Sequence, residues 1–255
     1  MALAAWETRA RDRVRKGIKK YGKFFTTAKA EKRTEADISG PIFVMFEEVF
    51  GYDKNSEVTA EYRIRAQFAD YAIKLSGKPV ILIETKAPTV KLTQNHLLQV
   101  SAYAMQKAME WVVLTNGLVW QLFHISKTVP LEEDAVFECD LSEGATPETV
   151  DCLCALCREY VIRGEPRKTY EKVQAVRPRN LLRSLYSDSV LSEMRRELKA
   201  STGYRAEVDE LKELIDRHLL RPELVGQVKR PRRATTLPAR AKKASAPSEP
   251  APPVQ

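Results

Sequence analysis

The sequence predicts a mixed α/β fold, in which a sheet is flanked by helices and followed by a C-terminal helical extension. Short β-branched and apolar runs bounded by turn formers, such as 80–83 and 111–115, indicate strands. Segments with apolar residues three and four positions apart lie before and after these runs and indicate amphipathic helices. At 255 residues, the chain is long enough for one core and an appended segment.

The first two predicted helices precede the strands. The first covers about 6–29 and is basic, with an apolar stripe made of Val14, Ile18, Tyr21 and Phe25. Its basic face suits a phosphate backbone, and a helix that only caps the core fits the pattern equally well. The second helix begins with Thr34 as N-cap, is kinked or restarted by Pro41 and ends before Gly51.

Residues 57–65 alternate between apolar and polar and predict a strand that leads into a hairpin over 67–88. Ser-Gly-Lys-Pro at 76–79 separates the two hairpin strands. A turn centred on Gly77 would make three facing pairs, which are Lys74 with Val80, Ala72 with Leu82, and Asp70 with Glu84. Because side chains alternate along a strand, Lys86 would share the face of Glu84 while Thr85 would point to the other face.

Two facing carboxylates at the end of a hairpin require an explanation. Like charges oppose strand pairing and raise the carboxyl pKa values unless a positive charge lies between them. A divalent cation meets this need, and a few hard oxygen ligands suit Mg²⁺ or Mn²⁺ better than zinc. A solvated strand end with a Glu84–Lys86 ion pair is the alternative, but the apolar run 80–83 predicts a strand covered on both faces.

A further helix is predicted from about 92 to 109, with Gln99 and Tyr103 on one face at spacing i, i+4. Leu92, Leu97, Leu98, Ala102 and Met105 are expected to pack on the sheet. Two strands at 111–115 and 119–125 follow, joined at Asn116-Gly117, a strong two-residue turn signal. Another strand at about 135–141 is expected to extend the sheet edge.

These residues together resemble a known family. Asp70, then Glu84-Thr85-Lys86 at the end of an apolar strand, then Gln99-x-x-x-Tyr103, is similar to the PD-(D/E)XK nuclease superfamily of the Q-x-x-x-Y type. The phrases at 68–73 and 83–88 resemble, more narrowly, the N-terminal endonuclease domain of the R subunit of Type I restriction enzymes. The resemblance covers about 31–125 and implies a restriction-endonuclease-like core.

The resemblance also implies a role for each matching residue. Asp70 and Glu84, with the Thr85 carbonyl, would hold Mg²⁺ or Mn²⁺, and Lys86 would orient the attacking water. Gln99 and Tyr103 would position Lys86 or a DNA phosphate.

In the family, a glutamate on the helix before the strands faces the active site. Glu35 matches that position best and would hold a water of the metal. Glu31 matches less well, whereas Glu47 and Glu48 come too late in the chain. A favourable charge in the first turn of the helix is the alternative explanation for Glu35.

The implied function is a Mg²⁺-dependent DNA endonuclease that hydrolyses phosphodiester bonds. The alternative is a non-catalytic DNA-binding or assembly subunit that works with a separate partner. Gly77-Lys78 is followed by Pro79, and no Gly-x-x-x-x-Gly-Lys-[Ser/Thr] motif occurs, so neither ATP binding nor a fused motor is expected. The apolar runs are too short to cross a membrane, and the expected location is the cytoplasm.

The charge is uneven along the chain. Residues 1–33 contain 11 Lys and Arg against 3 acids, and residues 221–255 contain 8 against 2, so the middle is net negative. Basic ends around an acidic centre fit a protein that holds a polyanion through its flanks, and a solubilising role for the tail fits as well.

Four segments are therefore predicted along the chain. They are a basic helix at 1–30, a nuclease-like domain at 31–145, a helical extension at 146–222 and a disordered, basic, Pro- and Ala-rich tail at 223–255. A helical hairpin at about 180–220, broken near 201–203, is available for a homodimer or a partner subunit. The four cysteines are expected to be buried small apolar residues rather than ligands of a metal cluster.

Overall fold

The computed structural model describes residues 3–64, 67–126 and 133–220. The chain divides into two compact units, Met1–Arg177 and Pro178–Gln255. The predicted divisions near residues 30, 145 and 222 stay predictions, and the predicted disordered tail lies outside the described residues. Among the described helices, none is both long and apolar enough to cross a membrane.

The first unit contains six strands and the helices around them. Its helices are α1 (Ala5–Ala30), α2 (Glu35–Glu48), α3 (Gln94–Gln106), α4 (Pro147–Cys154), α5 (Arg158–Val161) and α6 (Glu165–Ala175). Its strands are β1 (Val58–Ile64), β2 (Gln67–Leu75), β3 (Lys78–Thr85), β4 (Trp111–Thr115), β5 (Val119–Ile125) and β6 (Glu133–Asp140), and a 3₁₀ turn covers Leu141–Glu143. The predicted mixed α/β class and the predicted order of elements in this unit are confirmed, and α2 continues through Pro41.

The second unit is helical in its described part. It contains α7 (Pro178–Leu185), α8 (Asp188–Thr202) and α9 (Val208–Leu214), with a π-helical turn over Ile215–Leu219. The expected break falls at Gly203, which caps α8 in the left-handed conformation at φ +77°. An additional break at Ser187, the N-cap of α8, was not expected. The prediction of two helices over 180–220 was therefore wrong in number.

The sheet follows the chain order from β1 to β6. Four of the five strand pairs are antiparallel, and β3 and β4 are parallel because α3 crosses between them. The carboxyl ends of β3 and β4 therefore meet at one edge, where the amide of Lys86 donates to the carbonyl of Thr115 at 2.8 Å. We call this edge the upper rim.

The β2–β3 hairpin has a two-residue turn rather than one centred on Gly77. Ser76 and Gly77 both have positive φ, +51° and +74°, which is the type I′ geometry that matches strand twist. This turn pairs Lys74 with Pro79, so the predicted Lys74–Val80 pair is wrong. A bulge between Ile73 and Lys74 leaves one residue of β3 without a partner on β2 and so shifts the register by one. On the far side of the bulge from the turn, the predicted Ala72–Leu82 pair is present.

The sheet has a large core on one face and a smaller one on the other. The large core includes the predicted stripe of α1, all of whose members are buried, together with apolar residues of α2, the sheet and α4. Cys139, Cys154 and Cys157 are buried in it and Cys152 packs against it, as expected of small apolar residues. The smaller core lies under α3.

The buried face of α3 differs from the predicted one. Leu97 is buried as expected, but Leu98 is 48 % exposed and Met105 is 38 % exposed. Val100, Tyr103 and Ala104 occupy the buried face instead. The helix is therefore rotated relative to the prediction, and Tyr103 lies against the sheet.

Arg13 fastens α1 to the neighbouring helices. Its Nε donates to the carbonyl of Val49 at 2.9 Å, and its two terminal nitrogens donate to the carboxylate of Glu159 at 3.0 and 2.8 Å. Burial raises the pKa of Glu159, but the hydrogen bonds and charge of Arg13 outweigh burial and hold that pKa below its ordinary value. The pair therefore stabilises the fold while Glu159 is ionised.

We expect Arg13→Ala to lower the free energy of unfolding by about 2 kcal/mol at pH 7, because it leaves Glu159 and the Val49 carbonyl without their donor. Since the folded pKa of Glu159 lies below the unfolded one, this contribution is present above about pH 4.3 and is lost as pH falls through the folded pKa. Urea unfolding at a series of pH values measures it.

The matched control is Arg15→Ala, which removes an exposed ion pair with Asp12 on the same helix. Exposed pairs contribute little, so its cost should stay below about 0.5 kcal/mol at every pH. Equal costs for the two variants, or a cost of Arg13→Ala that grows at acidic pH, would contradict the assignment.

Candidate active site

The upper rim collects the acidic residues expected from the sequence. Glu84 lies at the end of β3 and is 5 % exposed, and Lys86 follows it. Asp70 lies one residue beyond the Tyr71–Ile83 pair of the hairpin. Glu35 lies in the first turn of α2, which begins at a capping box formed by Thr34 and Asp37. Three carboxylates and one ammonium therefore come together where the central strands end.

Lys86 links two of these carboxylates. Its Nζ donates to Glu84 Oε1 at 2.6 Å and lies 3.8 Å from Glu35 Oε2. Burial lowers the pKa of Lys86, but the hydrogen bond and the charge of Glu84, together with Glu35 and Asp70, outweigh it and raise that pKa above its ordinary value. Lys86 is therefore an ammonium at neutral pH, able to donate hydrogen bonds but not to accept a proton.

Asp70 is oriented by Thr85. Its Oδ2 accepts hydrogen bonds from both the backbone amide and the hydroxyl of Thr85, each at 2.6 Å. Alternation along the strand predicts the Thr85 side chain on the face away from Asp70, but the structure brings the two into contact. Asp70 lies at the end of the hairpin, where its carboxylate turns toward the last residue of β3. Thr85 thus fixes the position of one carboxylate.

Glu84 has one oxygen bonded to Lys86 and one without a hydrogen-bond donor among the described residues. Its Oε2 is buried and accepts no hydrogen bond within the described part of the chain. Burial and the charge of Asp70 raise the pKa of Glu84 above its ordinary value, and Lys86 offsets this only in part. A buried carboxylate oxygen without a donor is costly, so this atom is a candidate acceptor for a positively charged ligand.

The carboxylate of Glu35 is less buried than that of Glu84. Burial raises the pKa of Glu35, and so does the charge of Asp70. The charge of Lys86 and the influence of His96 lower it only in part, so the pKa of Glu35 lies above its ordinary value. His96 is therefore a further neighbour of this carboxylate. It belongs to the first turn of α3, where its Nδ1 accepts from the amide of Thr93 at 3.3 Å. No spacing signal in the sequence connects Glu35 with a residue so far along the chain.

Gln99 and Tyr103 form a pair on α3. Gln99 Nε2 donates to the hydroxyl of Tyr103 at 3.1 Å, and Tyr103 is 5 % exposed in the small core that also contains Leu82. In residues 3–64, 67–126 and 133–220, the pair makes no hydrogen bond to Asp70, Glu84 or Lys86. The structure therefore places Gln99 and Tyr103 over the strand that carries Glu84, without joining them to the acidic group.

The rim gathers carboxylate oxygens, the type of ligand that a hard divalent cation prefers. Asp70, Glu84 and Glu35 against Lys86 give it two net negative charges, and Glu84 Oε2 is a buried oxygen without a partner in the described part of the chain. Among the described residues, no three His, Cys, Asp or Glu side chains form a preformed metal cage. Two carboxylates with a backbone carbonyl would leave positions for water, which fits Mg²⁺ because that ion usually keeps several waters.

The fold and the rim define a nuclease-like mixed α/β core. Residues 44–134 match the family described as the N terminus of the Type I restriction enzyme R protein, so the predicted resemblance is confirmed. The match includes Asp70, Glu84, Lys86, Gln99 and Tyr103 and begins after Glu35. No curated protein and no solved structure matches the chain.

Proposed function

We propose that the protein is a Mg²⁺-dependent DNA endonuclease that hydrolyses phosphodiester bonds at the upper rim. The observation that carries the proposal is the convergence of Asp70, Glu84 and Lys86 at the ends of the central strands, inside the segment that matches the restriction-enzyme family. A bound Mg²⁺ supplies hydroxide near neutral pH and offsets negative charge on the attacking and leaving oxygens.

Asp70 and Glu84, with the Thr85 carbonyl, would hold the cation. The two hydrogen bonds from Thr85 keep Oδ2 of Asp70 in place, so that Oδ1 would be available to the ion. Glu84 would contribute Oε2, which accepts no hydrogen bond within the described residues. Each carboxylate would keep one oxygen in a protein contact and offer the other to the ion.

Lys86 provides positive charge for the reaction. Its role is to orient the attacking water and to donate to a phosphate oxygen as charge develops. Glu35, 3.8 Å from the ammonium, holds Lys86 between two carboxylates. Gln99 and Tyr103 position the strand that carries Glu84 or donate to a DNA phosphate.

The direct test is cleavage of supercoiled plasmid and of linear duplex DNA by the purified full chain, with Mg²⁺ and with EDTA. We expect nicks or double-strand breaks with Mg²⁺ and none with EDTA. Thermal unfolding adds a readout that needs no turnover, since Mg²⁺ should raise the Tm of the wild-type protein but not that of Glu84→Gln.

Two results would contradict the proposal. Cleavage that persists in EDTA would exclude a metal-dependent reaction. A chain that neither cuts any DNA form nor gains stability from Mg²⁺ would instead support the alternative, a DNA-binding or assembly subunit that works with a separate partner.

A further inference from the structure

A polar groove lies between α1 and the 3₁₀ turn that follows β6. It has a volume of about 310 Å³, and its polar lining consists of Lys19, Lys23, Thr26, Thr27 and Ser142. Gly22 allows the two elements to approach, since a Cβ at this position would lie 2.8 Å from the carbonyl oxygen of Leu141. The groove is therefore built by a close contact between two elements far apart in the sequence.

Its two lysines differ from other cations of the same helix. Lys20 pairs with Glu48 at 2.6 Å and Arg15 with Asp12 at 3.0 Å. For Lys19 and Lys23, no carboxylate lies within ion-pair distance in the part of the chain that the structure describes. Both are exposed. The helix thus neutralises some of its cations and leaves these two free.

The uncharged lining groups suit an anion. Thr26 donates its hydroxyl to the carbonyl of Gly22, whereas the hydroxyls of Thr27 and Ser142 have no partner within the described residues. Two carboxylates lie at this turn, those of Asp140 and Glu143. Asp140 accepts the amide of Ser142, and neither residue lines the groove. Two ammoniums and two free hydroxyl donors, with no carboxylate in the lining, are the groups that bind phosphate.

The groove and the proposed active site lie along one edge of the sheet. Lys86 follows β3, and its amide bonds to Thr115 at the end of β4. Leu141 follows β6, and its amide bonds to the carbonyl of Leu118 just before β5, at 2.9 Å. From β3 to β6 there are three strand spacings, roughly 14 Å. For a duplex whose axis follows this edge, at 3.4 Å per base pair, this separation would equal about four base pairs.

We propose that the groove binds a backbone phosphate of duplex DNA, about four base pairs from the phosphate held at the upper rim. The inference rests on the proposed function for its ligand, and it assigns α1 a role in gripping the substrate. Contacts of this type carry no sequence information and fix the position of the duplex on the protein.

The test measures binding without cleavage. Fluorescence anisotropy with a labelled duplex in EDTA, from about 50 to 200 mM salt, gives the slope of log K against log salt. The test variant is Lys19→Gln/Lys23→Gln. The control is Lys78→Gln/Lys172→Gln, which removes two exposed lysines. Lys78 lies at the β2–β3 hairpin turn, and Lys172 lies on α6, whose Gln174 contacts Asp134 at the start of β6. The hairpin turn and the start of β6 both lie at the opposite end of the strands from the upper rim.

We expect the test variant to lose about 0.9 in slope magnitude, since one neutralised phosphate contributes ~0.9, and the control to match the wild type. Unchanged circular dichroism should show that both variants are folded. Equal slopes for the two variants, stronger binding to duplex RNA than to DNA, or no duplex binding by the wild type would each overturn the inference. Because no cleavage is needed, an inactive wild type that binds with the expected slopes would refute the proposed function alone.

Discussion

Lys86→Met is expected to reduce Mg²⁺-dependent plasmid cleavage by about 10²–10³-fold, the loss typical of removing one donor aimed at developing negative charge. Methionine keeps most of the length and apolar stem of the side chain but removes the ammonium that bonds Glu84 at 2.6 Å and lies 3.8 Å from Glu35. Initial rates of nicking under single-turnover conditions measure the loss.

Lys78→Met is the matched control for this variant. Lys78 begins the same strand that Lys86 follows, but at its opposite end and in an exposed position. Its rate should stay within about twofold of wild type, because screened surface charges far from the reaction contribute little. Full activity of Lys86→Met, or an equal loss of rate in both variants, would show that Lys86 has no specific role in the reaction.

Gly117→Ala should lower the free energy of unfolding by about 3–4 kcal/mol, more than most single substitutions. Gly117 has φ +87°, a conformation that costs a non-glycine residue about 1–2 kcal/mol. An added Cβ would also lie 2.5 Å from Cδ1 of Phe25, a fully buried ring of α1, and overpacking adds about 1–3 kcal/mol. Urea unfolding followed by circular dichroism gives the value.

Gly77→Ala separates the two causes. Gly77 has nearly the same backbone conformation, at φ +74°, but a Cβ there would meet no atom within 4 Å. Its cost should therefore be only the conformational one, about 1–2 kcal/mol. If the two variants lower the free energy of unfolding equally, the close approach of Phe25 on α1 does not add to the cost of a side chain at Gly117.

Local signals in the sequence were sufficient for the order of the elements in the first unit. The stripe of α1 and the apolar run of β3 report interactions between residues close in the chain, and each is present. Asn116-Gly117 marks the connection between β4 and β5, but Thr115 pairs with Trp120, so the predicted two-residue turn is wrong in length. The register near the β2–β3 turn was not predictable in the same way. Ser76 takes a positive φ, which is uncommon for a residue other than glycine, and the bulge compensates for the shift.

The orientation of α3 shows where local signals fail. Leu98 and Met105 are as apolar as the residues of the buried face, so composition alone does not select the face. The position of the helix over the sheet decides which face is buried. The hydroxyl of the buried Tyr103 accepts a hydrogen bond from Gln99, one turn earlier in α3. Hydrophobic periodicity gives the type of an element more reliably than the side that it buries.

For the candidate site, alternation along a strand was enough to place Glu84 and Lys86 together, and they form an ion pair. It did not predict the contact between Asp70 and Thr85 or the approach of His96 to Glu35. Both depend on how the ends of strands and helices are arranged at the upper rim, which is a property of the tertiary structure rather than of strand periodicity.

The segment that follows Lys86 is tied down at both ends by the β4–β5 turn. The amide of Lys86 bonds to the carbonyl of Thr115, and the side-chain amide of Asn116 donates to the carbonyl of Val90 at 2.9 Å. With the main chain held in this way, the ammonium reaches a new partner only by rotation about its own side-chain bonds. In the proposed reaction, such rotations would bring the ammonium to a substrate without the closure of a loop over the site.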